Sequence, residues 1–175
     1  MYNKKEYDKK RYQKIKAERL ANAPPDPITF LKSTERAYIA GIIDGEGAIY
    51  ARNERETIYP TIAVHMTDKS VIMWLQEHIK AQTVWTLNRK DRPRYKTPLK
   101  TQYLFRICGK RAKLLCKFLL PYLITKRKHA EVVLKWPIDA RQGTRPIPHS
   151  IQKTRKMLGN ELTNLNGNRY KLRHN

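Results

Sequence analysis

The sequence predicts an α+β domain in which helices cover one face of an antiparallel sheet, in the order α-β-β-α-β-β-α-α. Three observations carry this. Short stretches of alternating apolar and polar residues occur in pairs, as hairpins do. The segments around them place apolar residues at helical spacing. Proline or glycine punctuates many of the joins.

Residues 2–21 hold eight Lys/Arg and three acids, with Tyr7, Tyr12, Ile15 and Leu20 too scattered for a strong apolar stripe, so a basic helical arm is expected. Asn22–Pro27 contains three prolines and reads as a linker. Ser33 or Thr34 is placed to cap a helix, with Glu35 in its first turn. Ala37–Ile43 is apolar on nearly every side, which predicts burial on more than one face. Ala48–Arg52, a polar tip at Asn53–Glu56 and Thr57–Met66 make a hairpin. Thr67 or Asp68 caps a second helix in which Val71, Trp74, Leu75, His78 and Ile79 fall at helical spacing. Thr83–Arg89 and Gln102–Cys108 pair across a basic loop. Lys110–Leu120 is a helix with Ala112, Leu115, Phe118 and Leu119 inward, ended by Pro121. A helix near Lys126–Lys135 closes the domain, and a short one follows from Ser150 through Leu162. The expected organisation is a basic arm and linker over 1–27, a folded domain over 28–137 and a basic extension over 138–175.

Composition narrows the function. The chain has 175 residues, with 37 Lys+Arg against 15 Asp+Glu, a formal charge of +22. Hydrophobic residues make up 40%, too many for a disordered polycation. There is no 18-residue apolar run and no apolar core in the N-terminal segment, so neither a membrane span nor a secretory signal is expected. Two cysteines, Cys108 and Cys116, form neither a disulfide framework nor a zinc pattern, which suits a reducing, intracellular setting. The basic residues also lie within the periodic segments. A nucleic acid is the natural partner, since neutralised phosphates release counterions. Charge alone favours a basic RNA-binding structural protein, so the choice must come from elsewhere in the sequence.

One segment breaks the local rules. In Tyr38-Ile-Ala-Gly-Ile-Ile-Asp-Gly-Glu-Gly47, Asp44 and Glu46 stand at the C-terminal end of an apolar helix, where the dipole disfavours anions. A divalent cation would reconcile them with phosphate, because a hard ion shares carboxylate, carbonyl and phosphate oxygens. Ala40 and Gly41 are small, and Gly41 and Gly45 stand four apart on one face, which permits close approach of a second helix. The competing reading is a core helix with a glycine C-cap and an acidic surface turn.

The segment closely resembles the motif of the LAGLIDADG homing endonucleases. The element order over roughly 30–136, Thr67–Leu75 and Pro121–Ala130 extend the likeness. The resemblance implies a saddle-shaped sheet and site-specific hydrolysis of one phosphodiester on each strand of a long, pseudo-palindromic duplex target. Non-cleaving relatives, acting as intron RNA maturases or DNA-binding regulators, are the alternative within the family. One motif copy implies a homodimer, with Tyr38, Ala40, Gly41, Ile42, Asp44 and Gly45 at the paired-helix interface. Glu46 would be the metal-binding acid, the Gly45 carbonyl a second ligand and Asp44 a cap on the partner's helix. Lys126 would support the attacking water or the transition state. At Asp68, where homodimeric relatives often have Gln, the side chain either holds water or caps the second helix. At Ile72 they often have Arg, so basic support would fall to Lys126, with Lys69 nearby.

The expected ion is Mg2+, with Mn2+ or Ca2+ substituting for binding, because the ligands are oxygens and no His or Cys converges on the motif. No small-molecule cofactor is expected. His65 falls in a strand and His129 follows Lys126 at helical spacing, so neither is cast as the main base. Strand alternation directs Ile49, Ala51, Ile62 and Val64, and Tyr103, Phe105 and Ile107, inward. It leaves Tyr50, Arg52, Tyr59, Thr61, His65, Gln102 and Arg106 for the major groove, with Asn88 or Arg89 from the third strand. Lys69 and Arg127 complete the DNA-contacting set. The N-terminal arm and the 90–101 loop are expected to grip phosphates.

Overall fold

The computed structural model describes residues 4–54, 57–81, 83–87, 100–138 and 147–167. Helix α1 (Lys4–Ala21) is basic, and its described side chains are exposed. A 3-10 turn at Pro27–Phe30 follows, capped by Asp26, whose carboxylate accepts from the Ile28 N–H at 3.1 Å. Then come α2 (Ser33–Glu46), β1 (Gly47–Glu54), β2 (Thr57–Met66), α3 (Lys69–Ile79), β3 (Thr83–Leu87), β4 (Gln102–Cys108), α4 (Gly109–Leu119), α5 (Arg127–Leu134) and α6 (His149–Leu165). The α+β architecture and its order are as the sequence predicts.

The four strands form one antiparallel sheet in the order β1-β2-β4-β3. Its helix-covered face carries Ile49, Ala51, Ile62, Val64, Phe105 and Ile107, which share one core with Ile39 and Ile43 of α2 and Leu115 and Leu119 of α4. The predicted inward residues of the strands are therefore the observed ones. Directly paired residues project to the same side, so the register defines the opposite, open face. It carries Tyr50 opposite Thr61, Arg52 opposite Tyr59, His65 opposite Leu104, and Ala63 opposite Arg106.

Several local expectations shift. The α2 cap is Lys32, not Ser33 or Thr34; its N–H donates to the Glu35 carboxylate at 2.8 Å, half of a capping box. Helix α3 turns Ile72, Leu75 and Ile79 into the core, while Val71, Trp74 and His78 lie on its flank. Trp74 stacks on His78 (centroids 4.0 Å) and meets Tyr38 of α2 edge-on (5.0 Å). In α4, Cys116 is buried and Phe118 is only half-buried, beneath the Arg36 guanidinium at 4.5 Å.

Of the expected extension, the described residues 147–167 pack on the domain. Leu158 and Leu162 of α6 enter the main core, and Asn166 donates to the Ile49 carbonyl of edge strand β1 at 2.9 Å. The N-terminal linker is pinned as well. Arg111 grips both oxygens of Asp26 (2.6 and 3.0 Å) and donates to the carbonyls of Ile79 and Lys80, where α3 ends in a left-handed Lys80. No helix among the described residues is long and apolar enough to cross a membrane.

Candidate active site

The site is built at the junction of α2 and β1. The last residues of α2 are Asp44, Gly45 and Glu46, and Gly47 is both the helix C-cap and the first residue of β1. The turn is so tight that a Cβ on Gly47 would lie 2.7 Å from Ile43 Cα and 2.8 Å from its carbonyl oxygen. Glycine is therefore required by close backbone approach, and it fixes where Glu46 emerges.

Asp44 is half-buried and fully engaged. Its Oδ2 accepts from the Ile124 N–H at 2.7 Å, and Oδ1 accepts from the Lys126 N–H and the Thr125 hydroxyl, both at 2.9 Å. Burial alone would raise its pKa; the bonds from Ile124, Lys126 and Thr125 outweigh this and hold it below the ordinary carboxylate value. Lys126 caps α5, and its Nζ donates to the Asp44 carbonyl at 2.7 Å. This puts an ammonium at the negative end of the α2 dipole. Burial pulls the Lys126 pKa down, and the charges of Asp44 and Glu46 partly restore it.

Glu46 is exposed and makes no ion pair among the described residues. Beside it lies the Gly45 carbonyl, one of the acceptors left over at a helix C-terminus. A free carboxylate and a main-chain carbonyl suit a hard divalent cation. No group of three or more His, Cys, Asp or Glu side chains that could hold a metal occurs among the described residues.

The outward side of α2 is open. Tyr38 is 50% exposed, Gly41 and Gly45 are exposed, and Ile42 is half-buried. A Cβ on Gly41 or Gly45 would touch nothing within 4 Å. Ala40 does not belong to this face: it is fully buried in the chain's own core, because it follows Ile39 on the inward side. The expectation that the helix is buried on several faces therefore fails for the single chain. Within the single chain, Asp44 is engaged by the 124–126 turn.

Tyr50, Arg52, Tyr59, His65, Gln102 and Arg106 share the open face and are half-buried. Thr61 lies there too, but it is fully buried and its hydroxyl reaches Cys108 Sγ at 3.6 Å, so it is floor rather than reader. The Tyr59 hydroxyl donates to Glu54, and Arg52 pairs with the same acid at 3.8 Å. Burial and the Glu54 bond both push the Tyr59 pKa up. Asn88, Arg89 and most of the 90–101 loop lie outside the described residues. Asp68 caps α3, accepting from the Ser70 N–H at 2.8 Å and its hydroxyl at 2.6 Å. Ile72 is core, while Lys69 and Arg127 are exposed, Arg127 facing Glu131 at 3.7 Å.

No family model matches the sequence, and no curated protein matches it. Solved structures do. The homing endonuclease I-CvuI, in complex with its target in the presence of calcium, aligns with a TM-score of 0.62 and 22% identity over 81% of this chain and 87% of that one. The same endonuclease on the I-CreI target with magnesium, its DNA not cleaved, gives 0.61 and 22% over 81% and 86%. The archaeal intron-encoded homing endonuclease I-Vdi141I, complexed with DNA, gives 0.52 and 16% over 81% and 89%. The chain has the LAGLIDADG fold.

In that fold the Tyr38–Gly47 motif is α2 together with its exit into β1, as the resemblance implies. Sequence reasoning missed Ile124 and Thr125, which hold Asp44 across some 80 residues of chain. The only signal was their place just before Lys126. Nothing in composition or periodicity links that turn to the end of α2.

Proposed function

We propose that this protein is a site-specific, divalent-metal-dependent DNA endonuclease that acts as a homodimer. The observation that carries this reading is the charge arrangement at the end of α2. In a chain of charge +22, the exposed carboxylate of Glu46, in no ion pair among the described residues, lies within electrostatic reach of Lys126, whose ammonium is held at 2.7 Å from the Asp44 carbonyl. A solvated acidic turn would need no such lysine.

Glu46 and the Gly45 carbonyl would hold the ion, magnesium being the physiological choice for an all-oxygen set. A bound divalent cation supplies Lewis acidity at the scissile phosphate. Lys126 contributes fixed positive charge where negative charge grows in the transition state. Asp68, already directed at Ser70, is a cap first; a water-holding role would be additional. The exposed Tyr38–Gly41–Gly45 side of α2 would meet its counterpart in a second copy, bringing two Glu46 residues together, one for each strand.

The open sheet face would lie along the major groove, with Tyr50, Arg52, Tyr59, His65, Gln102 and Arg106 reading base edges. Arg suits guanine and Gln suits adenine. The basic α1, Lys69 and Arg127 would grip phosphates, which position without specifying.

Cleavage of a duplex library with and without magnesium tests the proposal. Glu46→Gln should abolish cutting and retain binding, because it removes the ligand charge but leaves the protein surface intact. Cutting by Glu46→Gln at the parent rate would refute the ligand assignment. Duplex binding without cleavage by the parent protein would favour a non-cleaving regulator.

A further inference from the structure

Asp44 and Lys126 are joined twice, at both ends of the lysine. The Lys126 main-chain N–H rests on the Asp44 carboxylate at 2.9 Å, and its Nζ returns to the Asp44 carbonyl at 2.7 Å. The same carboxylate takes the Ile124 N–H and the Thr125 hydroxyl, so three consecutive residues of the turn between α4 and α5 converge on one anion. Charge-assisted bonds of this kind are short and strong, and two N–H groups aimed at one point demand an acceptor. A lysine side chain is otherwise among the most mobile in a protein, with a compact charge on a flexible stem.

We infer that Asp44 and Thr125 are positioning residues that fix the Lys126 ammonium beside Glu46. This assigns the first acid of Asp-Gly-Glu to its own chain's lysine. The inference rests on the reading of Lys126 as part of the cleavage site, given above. The mechanism is steric and electrostatic. Asp44 Oδ1 and Oδ2 hold the 124–126 turn against the end of α2, and the turn sets the origin of the Lys126 side chain. The Asp44 carbonyl, with the helix dipole behind it, then captures the ammonium. Asn at position 44 has one acceptor oxygen, so either the Ile124 N–H or the Lys126 N–H would face another donor. Val at 125 removes the hydroxyl's bond to Asp44 Oδ1 (2.9 Å) and its longer contact to the Asp44 carbonyl (3.4 Å) and keeps the shape; Ser keeps the hydroxyl.

The test compares the full-length parent with Asp44→Asn, Thr125→Val and Thr125→Ser. The first readout is amine acetylation in the absence of metal, quantified by mass spectrometry at Lys126 against exposed Lys128. Labelling at Lys126 should rise several-fold in Asp44→Asn and Thr125→Val and stay near the parent level in Thr125→Ser. The second readout is single-turnover cleavage at saturating duplex with magnesium. It should slow about 10- to 100-fold in Asp44→Asn and about 10-fold in Thr125→Val, with duplex affinity within about twofold, since a misplaced group costs rate rather than binding. Thr125→Ser should restore the rate. Should Asp44→Asn fail to fold, the Thr125 pair decides alone. Unchanged Lys126 labelling in Thr125→Val, or slowed cleavage without increased labelling, overturns the inference. If the parent does not cut while labelling changes as expected, the positioning stands and the cleavage role of Lys126 is what fails.

Discussion

Gly41 and Gly47 lie within one short segment, yet alanine at each should act with opposite sign. At Gly47 a Cβ would stand 2.7 Å from Ile43 Cα, roughly 0.7 Å inside ordinary contact, and the atoms it meets are backbone. Gly47 is also paired with Val64, so the strand cannot retreat without loosening the β1–β2 ladder. Overpacking of this kind costs about 3 kcal/mol. For a chain of this size that lowers Tm by about 6–12 °C. Gly41 has nothing within 4 Å and sits inside α2, so alanine there gains up to about 1 kcal/mol of helix propensity. The isolated chain should melt about 2–4 °C higher. Self-association should nevertheless weaken at least tenfold, because the added methyl stands where a second α2 would approach. Calorimetry at low protein concentration measures the first effect and sedimentation equilibrium the second. A Gly47→Ala protein that melts with the parent would refute the close-turn argument. A Gly41→Ala protein that dimerises as the parent does would refute the assignment of the α2 face.

Lys126→Ala should slow single-turnover cleavage by about 100-fold or more while leaving duplex affinity within a few-fold, since electrostatic groups act chiefly on the transition state; an unchanged rate removes it from the site. Affinity for duplex should fall steeply with salt, with a log–log slope of about −5 or steeper for six or more neutralised phosphates. A flat response in filter-binding titrations would contradict groove binding. Asp26 and Asp44 both titrate below the ordinary carboxylate value; burial opposes this, but hydrogen bonds from Arg111 and Ile28, and from Ile124, Thr125 and Lys126, prevail. Each therefore binds protons less readily folded than unfolded. Their stabilisation is complete above the unfolded carboxylate pKa and is lost as the pH falls toward the lower folded values. Tm measured from pH 7 to pH 3 should hold until about pH 5 and then drop, and Asp26→Asn should shallow that drop.

The sequence by itself determined the order of elements and the sides of the strands. Alternation in Ile49–Ala51 and Ile62–Val64 has only two phases, and only one buries the large apolar residues, so the open face followed. It also located the anomalous acids, because Asp44 and Glu46 violate a rule that acts within one helix. Tertiary structure decided everything that depends on contacts distant in the chain. Ala40 and Gly41 are both small and adjacent, yet one is core and the other exposed, which depends on how α2 rolls against the sheet. Thr61 obeys the alternation but is fully buried, its hydroxyl against Cys108 Sγ. Asp44 finds Ile124–Lys126 some 80 residues away, and Arg111 finds Asp26 across 85. Periodicity reports the environment along one element; which carboxylate is spent and which is left free is set by where separate elements meet.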